Sequence, residues 1–194
     1  MKYIPNYTDP KILKNYAIWY YNRYFPSISK IRKKLISKNG DGDLVDRIMN
    51  ELGNIFKEED IITDIIKNQI YRGKTIRYMR QNLLAKEFSK ELIDKLIKEY
   101  SDSDEIDANQ SRTIRNKIEF LKDTKSKRII LQNLMNSGYS KDLIEDIMNE
   151  IEFNEENLLG KEIEKIRKTG VSKEKMIKKL LGKGFKYEDI RNDI

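Results

Sequence analysis

Four segments of the chain align without gaps, and this repetition limits the fold more than any other feature of the sequence. The segments are KKLISKNGDGDLVDRIM, QNLLAKEFSKELIDKLI, QNLMNSGYSKDLIEDIM and KKLLGKGFKYEDIRNDI, and they follow one another at 48, 51 and 46 residues. Apolar residues coincide at Leu35, Leu83, Leu134 and Leu180, and again at Val45, Ile93, Ile144 and Ile190. A period near fifty residues with helical patterning predicts an array of helical modules.

Each copy is predicted to contain three helices. In copy two, Ile76, Met79 and Leu83 keep the i, i+3, i+7 spacing of one helical face. The chain is therefore predicted to be all-α, with about four three-helix modules in an elongated, curved array. The predicted modules cover residues 1–53, 54–100, 101–153 and 154–194, the last being incomplete. The polar stretch from Tyr100 to Ser111 is predicted to be the linker between copies two and three.

The turn between the second and third helices of a copy has a recurring composition. In copy three, Gly138 suits the left-handed residue after a helix, and the aromatic Tyr139 is expected to pack back on the last turn. Gly184 and Phe185 repeat this pair in copy four, whereas copy two has Glu87-Phe88 and no glycine. The third helices are expected to be capped by serines, Ser89 and Ser140.

Composition excludes several classes of chemistry. The 194 residues include no cysteine and no histidine, which removes disulfides, thiolate or imidazole metal sites, cysteine nucleophiles and histidine triads. The stretch NGDGDLVD fails as a calcium loop because Leu44 replaces the required glycine and Asn50 the terminal glutamate. No catalytic residue, metal or cofactor is predicted. The absence of a long apolar run favours a cytoplasmic protein, which we expect to be a monomer.

The charges of the chain are segregated. The net charge is +7, yet residues 66–90 hold seven basic residues and one acid, while EDIMNEIEFNEE holds six acids and no base. Opposed fields of this kind suit an anionic partner.

The ordered series of four segments resembles the RecX family of bacterial RecA regulators. The pieces that carry the resemblance are IRKKLISKNG, YRGKTIRYMRQNLLAKEFS, LQNLMNSGYS and IKKLLGKGFKYEDI, and the similarity runs from about Tyr16 to the C-terminus. The sequence departs from the family pattern in module two, where Ile61-Ile62 replace Phe-Ala and the arginine run is reduced to Arg72 before Gly73. The resemblance implies a protein that binds the RecA–single-stranded DNA filament and inhibits its ATPase and recombinase activities, with no enzymatic activity of its own.

Three basic groups are candidate contacts for the RecA filament or its DNA, because arginine and lysine recognise carboxylates and phosphates. The alternative for each group is a solvated helix face. Copy two is the preferred contact module, since the matching helix of copy three has basic residues only at its start. The candidates are Arg72, Lys74, Arg77 and Arg80 in copy two, Arg32, Lys33 and Lys34 in copy one, and Lys175, Lys178 and Lys179 in copy four.

The aromatic segment YAIWYYNRYF has two interpretations. Its rings lie on opposite faces of a helix, so it is either buried between neighbours or in contact with a partner. Stacking of single-stranded bases on the rings is the second interpretation. Core packing is favoured, because no dense basic groove interleaves with the rings in the sequence, and Trp19 is the expected exception.

Two other functions remain open at this point. The repeated helices could act as helix-turn-helix readers of duplex DNA in a stand-alone DNA-binding protein. An enzyme could use carboxylate or lysine chemistry in an unidentified pocket, but no phosphate-binding or dinucleotide-binding fingerprint is present.

Overall fold

The computed structural model describes residues 5–101 and 103–194, and within these residues it contains twelve α-helices and no strand. The all-α prediction is confirmed. The helices are α1 Pro10–Tyr24, α2 Ile28–Asn39, α3 Gly42–Glu51, α4 Glu58–Tyr71, α5 Ile76–Ala85, α6 Lys90–Tyr100, α7 Asp104–Leu121, α8 Lys127–Asn136, α9 Lys141–Asn149, α10 Glu155–Arg167, α11 Lys173–Gly182 and α12 Tyr187–Asp193.

The helices follow the predicted repeat in groups of three. All eight aligned apolar residues, the four leucines of the second helices and the four β-branched residues of the third, are buried. Separate apolar clusters form among α7–α9 and among α10–α12. Burial of such a stripe removes about 1.5–3 kcal/mol of apolar side chain from water per residue, which stabilises each group of helices.

Serine caps begin most of the second helices. The side chains of Ser27, Ser126 and Ser172 accept hydrogen bonds from backbone N–H groups in the first turns of α2, α8 and α11. Ser89 caps α6 in the same way, as predicted, by accepting from the N–H of Leu92. The predicted cap at Ser140 is wrong in one respect: the residue occupies the N-cap position of α9, but its side chain makes no capping hydrogen bond.

The turns after the second helices have the predicted left-handed residue. Gly138 and Gly184 have φ values of 91° and 87°, and Tyr139 is buried behind the first of them. In copy two the same conformation is adopted by a residue other than glycine, Glu87, with φ 65°. Its carboxylate pairs with Lys33 of α2 at 2.7 Å, so the unfavourable backbone accompanies an ion pair between two copies.

The prediction of a linker from Tyr100 to Ser111 is wrong. Helix α7 already begins at Asp104, and the interval between α6 and α7 covers only residues 101–103. Three acids in the first turn of α7 favour the positive end of a helix. The buried side chains of α7 recur every four residues and form the inner stripe of the helix: Ile106, Gln110, Ile114 and Ile118.

The chain divides into two compact units. One comprises Met1–Gln69 with Ile76–Ser103, and the other comprises Ile70–Thr75 with Asp104–Ile194. The last residues of α4 and the turn that follows them thus belong with α7–α12. The division into four modules, and their arrangement as an elongated, curved array, stay predictions.

The copies are joined by a recurring pair of hydrogen bonds. In the second unit, the hydroxyl of Thr75 donates to the carbonyl of Ser137 at 3.0 Å, and the hydroxyl of Ser126 donates to the carbonyl of Lys183 at 2.7 Å. Thr75 and Ser126 occupy the same position of the repeat, and both acceptors lie two residues before a buried aromatic residue. A hydroxyl before a second helix therefore contacts the turn of the following copy in both places.

A second element of the junction uses glutamate. The backbone N–H of Ile28 donates to the carboxylate of Glu58, the first residue of α4, and in the other unit the N–H of Lys127 donates to Glu155, the first residue of α10, at 2.8 Å. These N–H groups lie at the beginnings of α2 and α8, where no intrahelical acceptor exists. The acidic residue that opens one copy thus satisfies the helix end of the copy before it.

Core packing of the aromatic helix holds for one ring and is wrong for others. Tyr21 is buried and packs against Phe56 with 4.7 Å between ring centroids. Trp19, the expected exception, is exposed, but so are Tyr24 and Phe25, each with more than half of its surface accessible. Three lysines that are distant in sequence from α1 line the same groove as these rings, a proximity that the local sequence pattern does not show.

Candidate functional site

The turn between α4 and α5 is held tightly against α7. Gly73 has φ 61°, and a Cβ atom at this position would lie 2.1 Å from the Oγ1 of Thr113 and 2.5 Å from the carbonyl of Asn109. The buried hydroxyl of Tyr139 donates to the carbonyl of Gly73 at 3.0 Å. The backbone of this turn is therefore fixed by contacts from α7 and from the turn after α8, all within the second unit.

Four cations surround this turn and are here named the Gly73-turn cluster: Arg72, Lys74, Arg112 and Lys117. Arg112 donates to the carbonyl of Tyr71 at 3.1 Å and lies 5.7 Å from the centre of the Tyr71 ring. Lys117 lies 4.9 Å from the centre of the Tyr139 ring. Over residues 5–101 and 103–194, no salt bridge joins Arg72, Arg112 or Lys117 to a carboxylate.

The electrostatics of the cluster favour an anionic ligand. Burial lowers the pKa of Lys117, and the positive charge of Lys74 lowers this pKa further. Such a lowered pKa means that the folded protein disfavours the ammonium form relative to water. A carboxylate or phosphate placed at the turn would offset both causes, because it would supply the counter-charge that the cluster lacks.

Substitution of Lys117 by methionine tests this strain. Because the pKa of Lys117 is lower in the folded state, its charge opposes folding at neutral pH, and this opposition declines as pH rises through the lowered pKa. We expect Lys117→Met to raise the thermal midpoint at pH 7 and to flatten its rise at alkaline pH. Thermal unfolding monitored by circular dichroism measures both, and Lys117→Arg, which keeps the charge, is the control. A lower midpoint for Lys117→Met would contradict the assignment.

Two predicted contact arginines are engaged within the first unit. Arg32 of α2 donates twice to Asp46 of α3, at 2.7 and 2.9 Å, and Arg80 of α5 donates to Asp94 of α6 at 2.8 Å. The hydrogen bond from Arg32 lowers the pKa of Asp46. The two pairs occupy the same positions of copies one and two, where each joins a second helix to a third.

Copy three lacks these arginines because it uses a different contact. Leu131 occupies the position of Arg80 and packs, partly buried, against the apolar cluster of α7–α9. An apolar contact thus replaces the ion pair between the second and third helices. The loss of arginine in copy three is explained by helix packing within the copy.

The remaining predicted residues are distributed over several surfaces. Lys33 pairs with Glu87, Lys34 lines the groove beside the aromatic rings of α1, and Arg77 is exposed on α5. The three candidates of copy four lie on α11, are exposed, and make no salt bridge to any residue that the structure describes: Lys175, Lys178 and Lys179.

Arg112 and Lys117 were not predicted as site residues. The assumption of a linker up to Ser111 removed the first half of α7 from consideration. A signal was nevertheless present, because Arg112, Arg115 and Lys117 follow closely on one another in a segment whose isoleucines keep helical spacing. Of these, Arg115 contacts the carboxylate of Glu150 and is not part of the cluster.

None of the helices in the described part of the chain is sufficiently long and apolar to span a bilayer.

No protein-family model and no solved structure matches the chain. The chain is similar to proteins named regulatory protein RecX. That of Lactococcus lactis subsp. cremoris strain SK11 is 28% identical over 200 residues, which cover 91% of this chain and 73% of the relative. That of Listeria welshimeri serovar 6b is 26% identical over 92% of this chain and 72% of the relative. That of Listeria monocytogenes serotype 4a is 25% identical with the same coverage. The predicted resemblance to this family is confirmed.

Proposed function

We propose, from the similarity to RecX regulatory proteins over nine tenths of the chain, that the protein regulates RecA by binding its filament on single-stranded DNA. Binding would inhibit ATP hydrolysis and strand exchange, and the protein would catalyse no reaction itself. The observation that carries the proposal is the consistent name of the relatives, each of which is a regulatory protein matched over most of its length.

The Gly73-turn cluster supports a role in contacting this partner. Its turn is rigid, because Gly73 lies against α7 and Tyr139 holds its carbonyl. Its arginines have no carboxylate of their own among the residues that the structure describes. Arg72 and Arg112 are therefore the residues that we propose for bidentate contacts to acidic side chains or phosphates.

The repeat supports a polymeric target. Copies of one helical unit present similar second helices at regular intervals, and a filament presents identical protomers at regular intervals. We propose that Arg77 and the three lysines of α11 make further, weaker contacts, whereas Arg32 and Arg80 serve the packing of their own helices. The shift that such binding imposes on the filament is limited by the difference in affinity for its active and inactive states.

The direct test combines the purified protein with RecA, ATP and single-stranded DNA, and follows ATP hydrolysis and filament length. We expect both to fall as the protein concentration approaches that of RecA. Unchanged hydrolysis and length at severalfold excess over RecA would refute the proposal. Sequence-dependent, tight binding to bare duplex DNA, together with no effect on RecA, would instead identify a stand-alone DNA-binding protein.

A further inference from the structure

An aromatic groove lies in the first unit, separate from the Gly73-turn cluster. Its volume is about 420 Å³, and it is formed by the second half of α1, the start of α2 and the end of α5. Nine residues line it: Tyr16, Trp19, Tyr20, Tyr24, Phe25, Pro26, Lys30, Lys34 and Lys86. Five rings and three ammonium groups thus face one cavity.

The rings of the groove form a contiguous cluster with accessible faces. Tyr16 and Tyr20 are stacked, with 6.1 Å between centroids and 19° between planes. Trp19 meets Tyr24 edge-on at 5.8 Å, and Tyr24 lies 5.0 Å from Tyr20. Trp19, Tyr24 and Phe25 are each more than half exposed. Exposed aromatic side chains gathered in this way are surfaces on which flat apolar groups stack.

The lysines supply positive charge without matching carboxylates. Lys34 and Lys86 take part in no salt bridge within the described parts of the chain, and Lys30 donates to the carbonyl of Ala85 at 3.4 Å. The nearest acid, Glu87, is engaged by Lys33, whose hydrogen bond lowers the pKa of that carboxyl group. The groove therefore combines aromatic faces with unneutralised cations.

Phe25 is held in an unfavourable backbone conformation at the groove. It ends α1 with φ 46° and ψ 52°, the left-handed region, and its N–H donates to the carbonyl of Tyr21 at 2.9 Å. Residues other than glycine seldom adopt this region, and the following proline, Pro26, further disfavours a helical conformation before it. Asparagine or glycine would suit this position better than an exposed phenylalanine, and residues kept in such conformations cluster at binding sites.

We propose that this groove binds a short stretch of single-stranded nucleic acid. Bases stack on Trp19, Tyr24 and Phe25, and backbone phosphates lie beside the ammonium groups of Lys34 and Lys86. An acidic peptide would be attracted by the lysines but would not use the ring faces. Duplex DNA keeps its bases stacked internally and would not use them either. The inference goes beyond regulation of RecA, since the groove would bind a single strand with no recombinase present.

The single tryptophan of the chain lies in the groove and provides a direct signal. Titration of the intact protein with an oligothymidine of about a dozen nucleotides at low salt is expected to quench Trp19 fluorescence. An oligomer of the same length with abasic sugars is expected to bind about tenfold or more weakly, because stacking is lost. Equal binding of the abasic oligomer, of polyglutamate or of a duplex would overturn the proposal.

Variants identify the groove through the anisotropy of a labelled oligothymidine. Trp19→Ala is expected to weaken binding by about fivefold or more. Phe25→Gly is expected to weaken it similarly while leaving the thermal midpoint unchanged or higher, because glycine suits the left-handed backbone. Lys34→Ala combined with Lys86→Ala is expected to reduce the salt dependence of log K by about 1.4. Wild-type affinity in Phe25→Gly or in Trp19→Ala would contradict the assignment.

The matched control is Phe120→Ala. Phe120 is an aromatic residue that is 82% exposed on α7 and does not line the groove, and its replacement is expected to leave oligothymidine binding unchanged. A loss equal to that of Trp19→Ala would show that the groove is not the binding site. Because no RecA is present, a failure here leaves the RecA assay to be judged by itself, and the converse also holds.

Discussion

Gly73→Ala is expected to destabilise the second unit by about 3 kcal/mol or more. The left-handed conformation alone costs about 1–2 kcal/mol for alanine, and overpacking adds about 1–3 kcal/mol. The overpacking arises because the added methyl would lie 2.1 Å from the Oγ1 of Thr113 and 2.5 Å from a backbone carbonyl, so α7 would have to move. Denaturant unfolding monitored by circular dichroism measures the loss.

Gly40→Ala separates the two causes. Gly40 also has a left-handed backbone, with φ 82°, but no atom lies within 4 Å of the position that a Cβ would occupy. Only the conformational cost of about 1–2 kcal/mol is expected for this variant. If both variants lose the same stability, the close approach of α7 to the turn does not contribute, and the rigidity that we attribute to the Gly73-turn cluster is absent.

Replacement of both Arg72 and Arg112 by alanine is expected to weaken binding to the RecA filament by about 100-fold or more, since each hydrogen bond to a charged group contributes about 1.5–3 kcal/mol. Neither side chain has a salt bridge within the described residues, so the fold loses little. The protein concentration that halves ATP hydrolysis by RecA measures the effect, and unfolding of the variant shows whether stability is retained.

The paired arginines provide the control for this variant. Arg32→Ala combined with Arg80→Ala removes an equal amount of positive charge, but from residues engaged by Asp46 and Asp94. Exposed pairs of this kind contribute about 0–1 kcal/mol each, so a small loss of stability is expected, with inhibition changed by no more than a few fold. The reverse pattern, with strong loss only in this control, would transfer the contact to α2 and α5.

Local repetition made much of the fold predictable. The aligned leucines and β-branched residues are buried because the same position of each copy faces its core. The ion pairs were also accessible to prediction, since Arg32 and Asp46 recur as Arg80 and Asp94 one copy later. The glycines of the turns were recognised because few other residues adopt a left-handed backbone without cost.

Features that depend on distant packing were not predictable in this way. Gln110 is buried in α7 although a run of polar residues precedes it, because its neighbours Ile106 and Ile114 carry the helix onto the core. Gly73 approaches α7 some forty residues away, and no local pattern indicates which helix a turn will meet. The lysines that line the aromatic groove come from α2 and from the end of α5, so their proximity to α1 depends on tertiary structure.

The junctions between copies have a consequence for the evolution of such chains. A hydroxyl before the second helix contacts the turn of the next copy at Thr75 and again at Ser126, and an opening glutamate caps the preceding copy at Glu58 and again at Glu155. Each copy therefore carries both halves of a connector that fits any other copy. Tandem duplication of the coding segment would lengthen the protein without new interface residues, which makes the number of copies easier to change than their internal packing.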